Sequence, residues 1–518
     1  MRRNRLIKGL AVGMVIALVA ASTGCGNDTK TTSAGGTTED GKAIISFMAP
    51  SFYGTDLNNE NSDQVIAKYE DYTKTKVNWS WEANDTYKEK LGLTLMDKDN
   101  MPMVITISGA TMPANVVSAA KQGAFWDLSE FLKDKDAYPN LSKAISGVSD
   151  AFTVNGQVIG VYRARALGRY GFSYRTDWAE KLGISEPKTI EDVYKMLYAF
   201  TYNDPDGNGK NDTYGLEMTK YTGPFDIIQT WFGCGNQWVE EGGKLVPVHQ
   251  TSEYRDALKW IRKMYDDGLI RKDWATVDSA TFTDAVKKGQ AGAFCDVMDG
   301  SKRIWNYFTD NKVASVTDPS KTATMTMVGA VNNKTLATPG ENGCYVITKA
   351  GAKTEADVKN CLHFLDKMCD NQMMVLADYG LEGITYDLDE KGQVKLRSDI
   401  AIEQCPQVGL NQSVAYIPNA ASTDPVLIRK DSEIAMLKCQ DENDKVAVIN
   451  PAIGYLANSE ANAQYGTDIE QIIDDARTQY ICGQIDEAGL DEAASNWLKR
   501  GGEQVMKEVN DLYQADKK

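Results

Sequence analysis

From residue 43 onward, short apolar runs alternate with stretches whose apolar residues recur every three or four positions, the mark of strands interleaved with amphipathic helices. Ala43-Ile-Ile-Ser-Phe-Met-Ala-Pro-Ser51 predicts a strand entering a Gly/Asn-rich loop, and Val65, Ile66, Tyr69 and Tyr72 give residues 63–73 helical spacing. A strand over 76–81, a helix over 87–96 and the buried strand Met103-Val-Ile-Thr-Ile-Ser108 follow. This β-α-β-α-β order predicts a parallel sheet with helices on its faces. Ligands of such sheets gather at the carboxyl ends of the strands, here the loops near Tyr53, from Trp81 to Asn84 and over 108–111. Helices over 189–201, 252–267 and 279–288, then a strand over Ala291–Val297, predict a second α/β lobe. Tyr345-Val-Ile-Thr348 and the helical 355–368 return to the first lobe, and an acidic helical tail over 467–516 closes the chain. No fixed-period repeat is present, which argues against a solenoid.

The N-terminus breaks the pattern. Arg2, Arg3, Arg5 and Lys8 precede an apolar run over 10–21 and then Ser22-Thr-Gly-Cys25. A charged start, an apolar middle and small residues at the end make an export signal over 1–24. The run is shorter than the roughly 20 residues a membrane-spanning helix needs. Small residues before a Cys resemble a bacterial lipobox, although Ser22 stands where that motif usually has Leu. The resemblance implies that Cys25 is lipidated and tethers the protein to the extracellular face of the membrane; the alternative is a protein cut nearby and secreted free. Residues 26–42 hold no aliphatic or aromatic side chain larger than that of Ala34 and predict a flexible tether.

Charge narrows the partners. The chain carries 72 acidic residues against 56 basic ones, and four of the latter lie in the leader. An acidic surface argues against a nucleic-acid partner, which needs a basic face. Beyond Cys25, eight cysteines are scattered without a C-x-x-C pair, so neither a zinc site nor a dense disulfide framework is indicated, and buried free thiols are expected.

The sharpest local motif is Asp204-Pro-Asp-Gly-Asn-Gly-Lys-Asn-Asp212. Oxygen-bearing side chains fall at loop positions 1, 3, 5 and 9 (Asp204, Asp206, Asn208, Asp212), with the Lys210 carbonyl at position 7, as a calcium loop of EF-hand type requires. Position 12, usually a bidentate Glu, is Gly215. The competing structure is an Asx-rich surface turn without metal. Such a calcium would be structural.

The order of Gly123-Ala-Phe-Trp-Asp-Leu128, Tyr174-Arg-Thr-Asp-Trp178, Asp212-Thr-Tyr-Gly-Leu216, Tyr265-Asp-Asp-Gly-Leu269, Lys288-Gly-Gln-Ala-Gly292 and Tyr379-Gly-Leu-Glu-Gly383 resembles the large solute-binding lipoproteins of bacterial ABC importers. One departure is Asn100-Met-Pro-Met103, where relatives commonly read Gly-x-x-Pro-Asp. The resemblance implies an α/β, two-lobed periplasmic-binding-protein-like clamp of type II with a helical C-terminal region. Lobe 1 is expected over 43–165 and 335–398, and lobe 2 over 166–334 and 399–518. It also implies a small-molecule ligand, an oligosaccharide, delivered by a monomer to the membrane permease subunits of an importer, and it supports calcium.

Sugar sites combine an aromatic face with directional polar groups. Candidates in the loops are Tyr53, Trp81 with Glu82, Arg163 and Arg165 at the first crossing between lobes, Trp231 with Asn236 and Trp238, Asp296 and Asp299, and Tyr379 with Glu382. For each, packing in the core or solvation is the plainer role. The arginines, with Arg169, would also suit an anionic ligand. The rival class is an exported carbohydrate-active enzyme using a carboxylate pair. Other chemistries are poorly served: the histidines are His249 and His363 alone, and no H-E-x-x-H, G-x-S-x-G or P-loop occurs.

Overall fold

A computed structural model describes residues 35–97, 99–109, 112–418 and 425–517. The leader, Cys25 and most of the tether therefore lie outside the described residues, as does Thr111. The first lobe opens with β1 (Ala43–Ser51), α1 (Ser62–Thr73), β2 (Thr75–Ala83), α2 (Tyr87–Met96) and β3 (Val104–Ile107). β1 pairs in parallel with both β2 and β3, as the alternating pattern requires. The chain then reaches β4 (Gly160–Ala164) and crosses to the second lobe at β5 (Tyr170–Arg175). That lobe is built from α3 (Ile190–Tyr202), β6 (Tyr214–Leu216), α4 (Gly223–Trp231), α5 (Ser252–Asp266), β7 (Ala291–Val297) and β8 (Met325–Gly329). A second crossing leads back to β9 (Glu341–Ile347) and α6 (Glu355–Met368); α7 (Asp431–Asp444), α8 (Glu460–Ile481), α9 (Glu487–Trp497) and α10 (Glu503–Asp516) complete the chain.

The two largest sheets among the described residues have the orders β2-β1-β3-β9-β4 and β8-β5-β7-β6. β9 and β4 extend the first sheet antiparallel, so its predicted parallel character holds for β1 to β3. Each sheet has its own apolar core. Phe47, Val104, Ile105, Tyr345 and Phe364 centre the first; Phe172, Trp178, Phe200, Phe225 and Trp274 centre the second. Helix starts follow local chemistry: Thr189 with Asp192, and Thr354 with Asp357, form capping boxes at α3 and α6. On α5, Tyr254, Ala257, Leu258, Ile261 and Met264 recur at helical spacing and are buried together.

Two expectations are corrected. The helix over 279–288 is a turn at Ser279–Thr281 and a single helical turn at Asp284–Lys287. Phe282 turns inward there onto Phe294 and Tyr221, a contact a continuous helix would not favour. The first lobe also extends beyond residue 398, because Leu410, Val414, Ala415, Tyr416 and Ile417 lie in its core. The Tyr345 hydroxyl donates to the Gln412 and Val414 carbonyls (2.7 and 3.1 Å), and Ala164 N–H donates to Ala415 O at 2.7 Å, tying this segment to β9 and β4.

The crossings are laced together. Arg165 N–H donates to Gly340 O (3.0 Å), and Thr338 N–H donates to Leu167 O (2.8 Å). From α7, the Asn443 side-chain amide donates to the Gly168 and Tyr170 carbonyls, both at 2.9 Å. Only glycine fits at 168, since a Cβ there would stand 2.4 Å from Asn443 Cβ. Among the described residues no helix is long and apolar enough to cross a membrane.

Candidate functional site

Polar groups from both lobes collect around the crossings. On the first lobe, Glu341 begins β9 opposite Ala164 and is 4% exposed. One of its oxygens accepts from Gly343 N–H and the other has no partner. Burial raises its carboxyl to about 7, against the opposing pull of the Gly343 N–H and Arg165. Nearby, Asp378 accepts from the Tyr416 hydroxyl (2.5 Å), and burial raises it too, with Arg165 again opposing. On the second lobe, Asp296 closes β7 opposite Gly171. It accepts a long hydrogen bond from the Tyr221 hydroxyl (3.4 Å) and is raised by burial, which Arg303 and Arg169 oppose. The face therefore mixes carboxyls, guanidiniums and phenols at the point where the lobes join.

The residues anticipated from the sequence divide into groups. Arg165 is exposed at the crossing, whereas Arg163 is buried, donating to Gln412 Oε1 (3.0 Å) and lying 5.8 Å from the Tyr345 ring centre. Tyr53 is 46% exposed beside the equally open Phe52, past the carboxyl end of β1. Trp81 is half-buried and stacked on Trp79, with ring centres 4.6 Å apart. Glu82 pairs with Lys90 (3.3 Å) and Asp299 with Arg169 (2.9 Å). Asn236 donates to the carbonyls of Ala337 and Val448 and so clips the second crossing (3.1 and 3.0 Å). Trp231 is 3% exposed and packs edge-on against Phe172 and Trp260, so it is a core residue. Tyr379 is likewise buried, against Tyr386, while Glu382 is exposed. Glu341, Asp378, Tyr416 and Tyr221 were missed from the sequence. Glu341 left little signal in the sequence, since Asn342 and Gly343 separate it from the apolar run Cys344–Ile347.

Trp238 is buried as well, but it lines a cavity of about 260 Å³ in the second lobe. Tyr221, Thr222 and Gly223 at the start of α4 form one side, and α5, α8 and Trp497 form the others. Arg477 is held in its wall by Asp226 (2.6 Å), Asp474 (2.8 Å) and Thr222 (2.9 Å). His249 stands edge-on to Trp497 at 4.6 Å, and burial lowers its imidazole to about 3, keeping it neutral.

The 204–212 loop is exposed from Gly207 to Asp212, while Asp204 and Asp206 are half-buried and Pro205 is buried. Asn208 donates through its amide to Asp206 (2.6 Å) and Asp212 (3.2 Å), and Gly209 N–H donates to Asp204 (3.2 Å). Asp206 is raised by desolvation, and the neighbouring Asp204 and Asp212 push it the same way. Gly215, the missing exit position, packs so closely on Leu197 that a Cβ would lie 2.7 Å from Leu197 Cβ. Thr213 donates to Phe200 O (2.8 Å), and Glu217 is buried beside Tyr214 and Arg271, so neither faces the loop as a substitute ligand. Among the described residues no group of three His, Cys, Asp or Glu side chains is arranged to hold a metal. Among the described residues all eight cysteines are free, and six are buried.

Two α/β lobes joined by laced crossings, with polar and aromatic groups gathered where they meet, define a binding clamp. A model of the bacterial extracellular solute-binding protein family matches residues 57–356. The chain is 36% identical over 525 residues to Lipoprotein LipO of Bacillus subtilis (strain 168), covering 98% of this chain and 99% of LipO. It is 28% identical over 517 residues to the polygalacturonan/rhamnogalacturonan-binding protein YtcQ of the same organism, with the same coverage. Its fold matches an EF-hand mutant of the S. pneumoniae ABC-transporter substrate-binding protein FusA in complex with fructo-nystose, at TM-score 0.57 and 18% identity over 92% of this chain and 99% of that one. The chain belongs to the bacterial extracellular solute-binding proteins.

Proposed function

We propose that this protein captures an oligosaccharide between its lobes and delivers it to the permease of an ABC importer, acting as a binder and not as an enzyme. The observation that carries this reading is the convergence of Arg165, Glu341, Asp378, Asp296 and Tyr221 at the crossings, where a bound chain of hydroxyls meets both lobes at once. Exposed Tyr53 and half-buried Trp81 add aromatic surface at the carboxyl edge of the first sheet. Asp299 and Glu382 belong to its periphery. YtcQ and FusA, named for polysaccharide binding and for a complex with fructo-nystose, support a carbohydrate ligand. Incubation with mixed oligosaccharides should return them chemically unchanged at stoichiometric occupancy; catalytic turnover would favour the carboxylate-pair enzyme instead.

The protein is anchored through lipid on Cys25, a reading supported by the leader pattern and by the name of the relative LipO. Cys25→Ala should move the protein from the membrane fraction to the medium still folded. Calcium fits the 204–212 loop: the Asn208 amide already draws Asp206 and Asp212 together as a cation would, and turning that amide over presents an oxygen. Asp204, Asp206, Asn208, Asp212 and the Lys210 carbonyl would hold the ion. An EF-hand in FusA supports the same reading.

A further inference from the structure

We propose that the 260 Å³ cavity of the second lobe holds one ring of the captured chain and selects a neutral or amino-substituted sugar over a uronate. The proposal rests on the capture reading above and concerns what that site accepts.

The cavity lies just below the roughly 300–1,000 Å³ of sites that enclose drug-sized ligands, so it suits a single ring and not a chain. Tyr221 links it to the crossing face, lining the cavity and donating to Asp296. A sugar chain lying along the crossings can therefore place its next ring past the first turn of α4. Trp238 and Trp497 supply apolar surface for the ring.

Charge decides the class. Asp226, Glu470 and Asp474 line the cavity, and Glu470 and Asp474 are both exposed. Although solvent reaches them, both carboxyls are raised, chiefly by desolvation in the concave wall; Asp474 and Asp226 push Glu470 the same way, and at Asp474 the opposing pull of Arg477 is partly offset by Asp226 and Asp475. The cavity's guanidinium is largely committed: both terminal nitrogens of Arg477 are engaged by Asp226, Asp474 and Thr222, and only its Nε–H is left unpartnered. His249 is neutral and adds no positive charge. A uronate carboxylate would enter against a net negative wall, three carboxylates to the single Arg477 guanidinium, whereas hydroxyls donate to these acceptors and an ammonium relieves their repulsion. His249, Tyr254 and Arg477, each more than nine-tenths buried in the wall, also keep one polar side-chain atom without a partner. An unpaired buried group is costly, as expected of a wall that adjusts when a polar ligand arrives.

The test is calorimetric titration of the full chain with a panel of short galactose, glucosamine and galacturonate oligomers of matched length, repeated with Glu470→Gln/Asp474→Asn. Galacturonate oligomers should bind weaker than neutral or amino-substituted ones by roughly tenfold or more. The double substitution, in which the amide oxygen of an asparagine at 474 still accepts from Arg477, should narrow that gap and weaken glucosamine binding. Galacturonate binding as tight as the rest, or a gap unmoved by the substitutions, overturns the selectivity and leaves the capture reading standing. If no oligomer of any class binds, the capture reading falls and this inference falls with it.

Discussion

Glu341 shows how one side chain couples the crossing to pH. Its carboxyl is buried and raised to about 7, so the folded state holds a proton that the unfolded chain releases near 4.5. Between those values the native form binds more protons, and stability therefore falls as pH rises from about 4.5 to 7 and levels off above, a loss on the order of 3 kcal/mol. Glu341→Gln keeps an acceptor for Gly343 N–H and removes the ionisation. The variant should match the wild type near pH 4.5 and melt higher at pH 8; parallel thermal scans that show no pH-dependent difference would reject this role. Such a residue is hard to find from a sequence because a Glu among Asn, Gly and Cys reads as a loop. Opposite it lies Ala164 of β4, distant in the chain.

Among the elements, the loop joining α3 to β6 carries its own prediction. Three carboxylates within nine residues repel one another, and a divalent cation removes that repulsion. At free calcium near 100 times the dissociation constant, the loop should gain about 2.7 kcal/mol. Chelator should lower the melting temperature of the wild type, and Asp206→Ala should erase that difference while leaving sugar affinity nearly intact. An unchanged wild-type melting curve would make the loop a plain Asx turn. With Gly215 packed on Leu197 and Thr213 and Glu217 committed elsewhere, affinity should fall below that of a full EF-hand. The loop and the ends of α1, α2, α3 and α5 were legible because each depends on spacing or caps within a few residues. The segment at 279–288 was not, because Phe282 is drawn inward by Phe294 and Tyr221, which the local pattern does not contain.

Across the whole molecule, a ligand touching both lobes binds the closed arrangement better and shifts the population toward it. Small-angle scattering at saturating oligosaccharide should show a smaller radius of gyration than without it, and an unchanged radius would count against closure. The sequence by itself determined the alternation of strands and helices, the two α/β lobes, the return of β9 to the first sheet and the calcium-type loop, since hydrophobic period and turn chemistry are local properties. Tertiary structure alone decided which candidates are core and which are open. Trp231 and Tyr379 went inside, Tyr53 stayed out, and Glu341, Asp378 and Asp296 each came to lie beside the crossings. Whether an aromatic or a carboxylate lies in a core or a cleft depends on which distant segments pack over it, and the spacing of residues along one chain does not encode that.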